Sequence, residues 1–161
     1  MRSRSLLIAA AVSLSVPGIA LAADGAQQTA QPEARPFDEH RDATADVDAA
    51  IARAKANQHK VILVFGANWC GDSRALAGWF ATPRFKPMLD AGYELVWIDV
   101  GQKDRNLDLA RRFGLDGIKG TPTVLILDQA GKPLNLADAP SWKNARSRSE
   151  DAVYAAFAER K

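Results

Sequence analysis

The sequence predicts an α/β fold in which a small mixed β-sheet is covered by helices on both faces. A continuous β-branched and apolar run at 60–67 is typical of a strand buried on both faces, and 93–100 and 122–128 are two further predicted strands. Stretches with helical spacing separate these runs, which predicts parallel crossover connections among the early strands. A turn at 129–132 then predicts an antiparallel hairpin that pairs the third strand with residues 133–136.

Helical spacing of apolar residues predicts four helices. Pro83 and Pro87 are expected to bend or break the second of them. Gly114 fits the C-cap of the third, and Ser147 with Glu150 fits a capping box at the start of the fourth. The predicted helices span 45–57, 75–90, 104–113 and about 148–161.

The N-terminal region has the order of a secretory signal peptide. A short basic start precedes an apolar run at 6–16, and Ala-Leu-Ala at 20–22 offers a small-x-small cleavage site. The alternative of a membrane anchor is disfavoured, because the run is well under the roughly 20 residues that a spanning helix needs. We therefore expect a signal peptide at 1–22, a flexible polar leader at 23–36, and a folded domain at 37–161.

Charge and composition narrow the classes of partner. The chain has a formal net charge of +2, and loss of the predicted signal peptide removes Arg2 and Arg4 and no acids, which leaves a neutral domain. This charge balance gives no case for nucleic-acid binding, and no stable membrane insertion is expected after cleavage. We expect a periplasmic or secreted protein. One cysteine with the separated His40 and His59 lacks metal-ligand spacing, so neither a metal nor a cofactor is expected.

The single cysteine, Cys70, lies where a buried strand gives way to a predicted helix. Unpaired N–H groups and the partial positive charge of a helix N-terminus favour the thiolate, which is the nucleophilic form. Trp69 is placed to shield one side of this thiol, and Gly71 allows another chain to approach. Asp72 opposes thiolate formation, whereas Arg74 partly offsets that charge. The alternative is an inert buried thiol.

Two segments of the sequence resemble the thioredoxin family. Residues 61–74 (VILVFGANWCGDSR) resemble its active-site segment, in which a buried strand leads into Ala-x-Trp-Cys-x-x-Cys, and residues 120–123 (GTPT) resemble its cis-proline loop. The resemblance extends from about residue 37 to the C-terminus. It is strongest to an exported branch that includes the C-terminal domain of the thiol reductase DsbD. A thioredoxin-like α/β fold is therefore expected.

The resemblance implies roles for individual positions. Cys70 matches the attacking cysteine, Pro122 matches the cis-proline, and Thr121 matches the residue whose backbone pairs with a bound substrate peptide. Ser73 stands where the family keeps its second, resolving cysteine, and Val64 stands where many members keep a buried aspartate. A serine hydroxyl cannot form the disulfide that releases a substrate.

These features lead to a monothiol hypothesis. Cys70 would form mixed disulfides with protein or small-molecule thiols and disulfides, and an external thiol would resolve them. Ser73 is then either a hydrogen-bonding partner of the thiolate or an ordinary residue of the first helical turn. The alternative function is a non-catalytic binding module that docks or traps partner proteins. The sequence does not determine the oligomeric state.

Overall fold

The computed structural model describes residues 31–160, and within this range three strands and six helical segments follow one another. The predicted signal peptide lies outside the described residues. None of the helices between residues 31 and 160 has the length and apolarity that crossing a bilayer requires. In chain order the elements are α1 (Ala43–Asn57), β1 (Lys60–Gly66), α2 (Gly71–Phe80), α3 (Lys86–Asp90), β2 (Tyr93–Asp99), α4 (Leu107–Arg112), β3 (Thr123–Leu127), a 3₁₀ segment (Ala139–Ser147) and α5 (Glu150–Ala158).

The described sheet is small and mixed, as predicted. Its order is β2-β1-β3, with β1 at the centre. β1 pairs with β2 in parallel and with β3 in antiparallel register. The carboxyl end of β1 therefore lies beside the amino end of β3, where Phe65 is opposite Thr123. This edge of the sheet is the one from which the chain leaves β1 toward Cys70.

The predicted antiparallel turn forms, but residues 133–136 do not make a full strand: one antiparallel bridge joins Leu127 to Pro133, and the N–H of Leu134 donates to the carbonyl of Ile126 at 2.8 Å. A side chain takes the place of the rest of the ladder. The N–H of Ile126 donates to Asn135 Oδ1 at 2.7 Å, and Asn135 Nδ2 donates to the carbonyl of Val124 at 2.9 Å. The buried amide of Asn135 thus satisfies the free edge of β3. A strand pattern in the sequence does not reveal such a substitution of side chain for backbone.

Helices cover both faces of the sheet, as predicted, because alternate residues of β1 feed two apolar clusters. One cluster joins the sheet to α1 and α4 and includes Val47, Leu63, Phe65 and Leu109. The other joins it to α2, α3, the 3₁₀ segment and α5, and includes Ile62, Val64, Phe80, Trp142 and Phe157. The central strand is therefore buried on both sides.

Two predicted helices begin or end elsewhere. The stretch predicted at 75–90 is two helices, α2 and α3, with Pro83 between them and Pro87 in the first turn of α3. The helix predicted from residue 104 begins at Leu107, because turns occupy the preceding residues. It ends at Arg112 with Phe113 as its C-cap, so the predicted C-cap Gly114 lies one residue further on, where its φ of +87° favours glycine.

The predicted capping box of the last helix is wrong by two residues. Ser149 is the N-cap of α5, and its hydroxyl accepts a hydrogen bond from the N–H of Ala152. Ser147 instead ends the 3₁₀ segment, where its hydroxyl donates to the carbonyl of Asn144 at 2.9 Å. The 3₁₀ segment itself was not foreseen, since short 3₁₀ turns lack the periodicity that marks an α-helix.

Residues 31–36 of the predicted leader lie against α2, so they differ from a flexible segment. The N–H of Ala34 donates to the carbonyl of Arg74 at 3.1 Å. A Cβ atom at Gly78 would fall 2.1 Å from the carbonyl oxygen of Pro32, so glycine is required for this close backbone approach. The folded part of the chain therefore starts before the boundary predicted at residue 37.

Candidate functional site

Cys70 caps the N-terminus of α2. Its backbone is extended (φ −82°, ψ 122°), its N–H donates to the carbonyl of Ala67 at 3.1 Å, and its own carbonyl accepts from the N–H of Arg74 at 3.1 Å. The residue retains 9% of its surface exposed. The thiol thus lies at the positive end of a ten-residue helix, as the sequence predicted.

The Thr121–Pro122 loop faces the thiol. The Thr121–Pro122 peptide bond is cis, in agreement with the sequence-based expectation. Cys70 Sγ lies 3.2 Å from the carbonyl oxygen of Thr121, the arrangement of a thiol that donates a hydrogen bond. Two segments separated by about fifty residues in the chain therefore meet at Cys70, and the carbonyl of Thr121, one of the two predicted ledge residues, lies within contact distance of the sulfur.

The Ser73 side chain is fully buried beneath the thiol. Its relative exposure is 0%, and its Oγ has no hydrogen-bond partner among residues 31–160. A buried hydroxyl without a partner is unfavourable by about 1–3 kcal/mol. The Ser73 hydroxyl is therefore available to an acceptor that forms beside it, and the Cys70 thiolate is such an acceptor.

Opposing effects act on the ionisation of Cys70. Burial raises the pKa of the Cys70 thiol, whereas the hydrogen bonds that a thiolate would accept from the side chains of Thr121 and Ser73 and from the backbone of Ser73 and Asp72 lower it by more, so the net pKa lies below that of an ordinary thiol. The thiol's own hydrogen bond to the Thr121 carbonyl belongs to the protonated state. On ionisation the sulfur would give up that contact and accept hydrogen bonds from these donors instead, which makes the thiolate easier to form.

The residues that flank Cys70 make contacts that the sequence did not specify. Trp69 is 48% exposed, and its Nε1 donates to the carbonyl of Gly101 at 2.8 Å. The expectation that Arg74 offsets the charge of Asp72 is not met by a direct contact. Arg74 instead donates to the carbonyls of Asn68 and Trp69 at 3.1 and 3.0 Å. Its role in the structure is to hold the loop before the cysteine.

Arg146 of the 3₁₀ segment occupies the space beside Gly71. A Cβ atom at Gly71 would fall 2.7 Å from Arg146 Nη1. The backbone N–H of Arg146 donates to Asp72 Oδ1 at 2.8 Å. The Arg146 guanidinium also pairs at 2.9 Å with Glu33, which pairs with Arg74 at 3.0 Å. The space at Gly71 that was expected to admit another chain is thus partly filled by the Arg146 guanidinium of this chain.

Sequence reasoning missed three residues around the site, namely Glu33, Lys143 and Arg146. Lys143 packs its aliphatic carbons on Gly120, where a Cβ atom would fall 2.9 Å from the lysine Cβ and Cδ. The only local signal was basic residues in a segment without helical periodicity. Contacts across more than seventy residues, such as that between Arg146 and Asp72, leave no pattern in a single sequence.

A groove of about 590 Å³ opens on the Trp69 side of the site. Carboxylates line much of it, including those of Glu39, Asp99 and Asp104, and Arg105 pairs with Glu39 at 3.1 Å and with Asp99 at 3.6 Å. Within residues 31–160, no group of three or more His, Cys, Asp and Glu side chains is placed to hold a metal ion.

Comparison with known proteins identifies the family. A family model described as thioredoxin-like matches residues 42–129, which is more than half of the chain, and the protein therefore belongs to the thioredoxin-like family. A disulphide isomerase from Xylella fastidiosa Temecula1 shares 37% identity with a TM-score of 0.71, and the alignment covers 78% of this chain and 96% of that one. No curated protein matched the chain.

Two further solved structures have lower similarity. The reduced C-terminal domain of DsbD from Neisseria meningitidis is 27% identical, with 56% of this chain and 82% of that chain covered and a TM-score of 0.43. A thioredoxin from Thermus thermophilus is 24% identical, with 49% of this chain and 58% of that chain covered and a TM-score of 0.39.

Replacement of the buried hydroxyl tests the local chemistry. Ser73→Ala is expected to raise the pKa of Cys70, because the thiolate loses a hydrogen bond. The pH profile of alkylation by iodoacetamide should therefore shift to higher pH. The free energy of unfolding should stay unchanged or rise by about 1 kcal/mol, since the removed hydroxyl has no partner among the residues that the structure describes. An unshifted alkylation profile would exclude Ser73 as a partner of the thiolate.

Proposed function

We propose that the protein is an exported monothiol member of its family that carries out thiol–disulfide exchange through Cys70. One observation carries the proposal. The Cys70 sulfur lies at a helix N-terminus against Thr121, and where the family pattern has a second sulfur stands the buried hydroxyl of Ser73, which has no hydrogen-bond partner in the described part of the chain. Similarity to a protein described as a disulphide isomerase supports the same class of chemistry.

The proposed reaction has two steps. The Cys70 thiolate attacks one sulfur of a substrate disulfide, so that a Cys70–substrate disulfide forms and the other half of the substrate leaves as a thiolate. Ser73 stabilises the attacking thiolate, and Thr121 and Pro122 form the ledge on which the substrate lies. An external thiol then attacks the mixed disulfide, becomes joined to the substrate half and returns Cys70 to its reduced form. Neither a metal nor an organic cofactor takes part.

Export is part of the proposal and rests on the sequence. The basic start, apolar run and cleavage site at residues 1–22 would direct the chain to the periplasm or the medium, where substrate disulfides persist. Protein expressed with its full N-terminus should be recovered outside the cytoplasm with Ala23 as its first residue. N-terminal analysis by mass spectrometry checks this, and an intact N-terminus in the cytoplasmic fraction would exclude export.

The exchange activity is tested with glutathione disulfide at neutral pH. We expect one glutathione adduct per chain by intact-mass measurement, its removal by an excess of a reducing thiol, and no adduct with Cys70→Ala. An unmodified native chain, under conditions in which the denatured chain is modified, would contradict the proposal.

The same variant separates catalysis from the alternative of a binding module. If the protein works by thiol chemistry, Cys70→Ala should no longer capture the partners that native protein holds in mixed disulfides. Undiminished capture by Cys70→Ala, with the same partners recovered, would instead assign the function to docking on the fold. A pull-down under non-reducing conditions, with both forms at equal concentration, makes the comparison.

A further inference from the structure

Two cationic side chains of the 3₁₀ segment lie over the two pieces of backbone that flank the thiol. The Arg146 guanidinium packs on Gly71, which directly follows Cys70. Lys143 packs on Gly120, which directly precedes the Thr121 carbonyl that contacts Cys70 Sγ. The Arg146 guanidinium and the aliphatic stem of Lys143 thus border the side of the site that the 3₁₀ segment forms. We call Lys143 and Arg146 the basic rim.

The carboxylates nearby leave this rim positively charged. Glu33 is shared between Arg146 and Arg74, so one carboxylate faces two guanidinium groups. Asp72 accepts a hydrogen bond from the backbone of Arg146 and also offsets part of the charge. Lys143 is exposed and makes no ion pair within residues 31–160, and the Arg146 side chain keeps 53% of its surface exposed. Both cations therefore remain accessible to a ligand.

The opposite side of the site has the reverse character. The groove beside Trp69 is lined by carboxylates, and Arg105 on that side is held between Glu39 and Asp99. A substrate consequently meets different charges on the two sides of the sulfur. The rim contacts both Gly71 and Gly120, which are the chain neighbours of Cys70 and Thr121, so it lies near groups attached to a sulfur that reacts at Cys70.

We propose that the basic rim makes Cys70 selective for disulfides that carry a carboxylate a few bonds from the reacting sulfur. This inference deepens the proposed exchange function and rests on it. The substrate class is therefore an acidic disulfide, either a carboxylated small molecule or a protein cystine with acidic neighbours. Ammonium groups in the same position are repelled.

The test uses three disulfides of matched length that differ in charge. These are 3,3′-dithiodipropionate with carboxylates, 2-hydroxyethyl disulfide without charge, and cystamine with ammonium groups. In each reaction the Cys70 thiolate forms a bond to one probe sulfur, and the other half leaves as a thiolate. Rates of adduct formation are measured at one pH and divided by those of 2-mercaptoethanol, a neutral thiol, which removes the intrinsic reactivity of each probe.

We expect the normalised rate for the carboxylate probe to exceed that for the ammonium probe by about three- to tenfold at low ionic strength. The ratio should approach one in about 1 M salt, where the Debye length is about 3 Å. The double variant Lys143→Gln and Arg146→Gln should lose the preference. Lys132→Gln, which removes an exposed cation at the turn after β3, should keep it. Any change in the pKa of Cys70 cancels in the ratio, because every probe reacts with the same thiolate.

The possible outcomes separate this inference from the proposed function. Equal normalised rates for the three probes would overturn the charge selectivity and leave the exchange reaction intact. A faster reaction with cystamine would also overturn it and would assign selection to the acidic groove beside Trp69. A preference that survives the double variant would show that the rim is not its source. Absence of reaction with every probe would contradict the exchange function itself.

Discussion

Ser73→Cys is expected to make the mixed disulfide between Cys70 and its substrate transient, whereas in the native protein it persists until an external thiol attacks it. The Ser73 side chain lies one helical turn after Cys70, and its hydroxyl is among the donors that lower the pKa of Cys70, so a sulfur at this position lies within reach of Cys70 Sγ. The introduced thiol should attack the mixed disulfide and release the substrate about a hundredfold faster or more, since an intramolecular attack needs no external thiol. Insulin reduction with dithiothreitol as the electron donor measures the gain.

The matched control is Ser73→Ala, which removes the hydroxyl without adding a sulfur and should give no turnover. An unchanged lifetime of the mixed disulfide in Ser73→Cys would mean that the difference from dithiol relatives is wider than one residue. Val64 is then the next position to examine, because it is fully buried on β1 where many family members keep an aspartate. If insulin reduction appears in the double variant Ser73→Cys with Val64→Asp but not in Ser73→Cys alone, residue 64 is the second position that separates this protein from its dithiol relatives.

The sheet was predictable because its strands are rich in apolar residues and the central strand is buried on both faces. A continuous apolar run has few alternatives once its length and its neighbouring turns exclude a long helix. The run at 133–136 was misassigned, since the buried Asn135 amide replaces a strand at the edge of β3. The packed residues 31–36 were read as flexible from their polar composition, whereas Glu33 pairs with Arg74 and Arg146 far along the chain.

The candidate site likewise contains residues that the sequence predicts and residues that only the tertiary structure places there. The positions of Cys70, Ser73 and Thr121 followed from local sequence and from the family resemblance, and the structure brings these three residues together. Lys143 and Arg146 could not be assigned, because their position depends on how the 3₁₀ segment packs on α2. The chemistry of the sulfur was thus encoded locally, while the charges that surround it come from tertiary packing.

That packing depends on Trp142, and its removal should have the largest effect on stability. Trp142 is 2% exposed, stacks on Phe157 with 4.9 Å between ring centroids, and lies under the Arg148 guanidinium at 4.2 Å. Trp142→Ala should lower the free energy of unfolding by about 3–5 kcal/mol, through lost burial and the cavity left behind. Urea denaturation followed by circular dichroism measures this loss.

Trp69→Ala is the matched control. Because Trp69 is 48% exposed, this replacement should lower the free energy of unfolding by about 1 kcal/mol or less. Equal losses in the two variants would mean that the 3₁₀ segment contributes little to the core. Because Trp142 directly precedes Lys143, loosening of this anchor should also weaken the preference for carboxylated disulfides while Cys70 continues to react. Stability and substrate selection would then depend on the same buried indole.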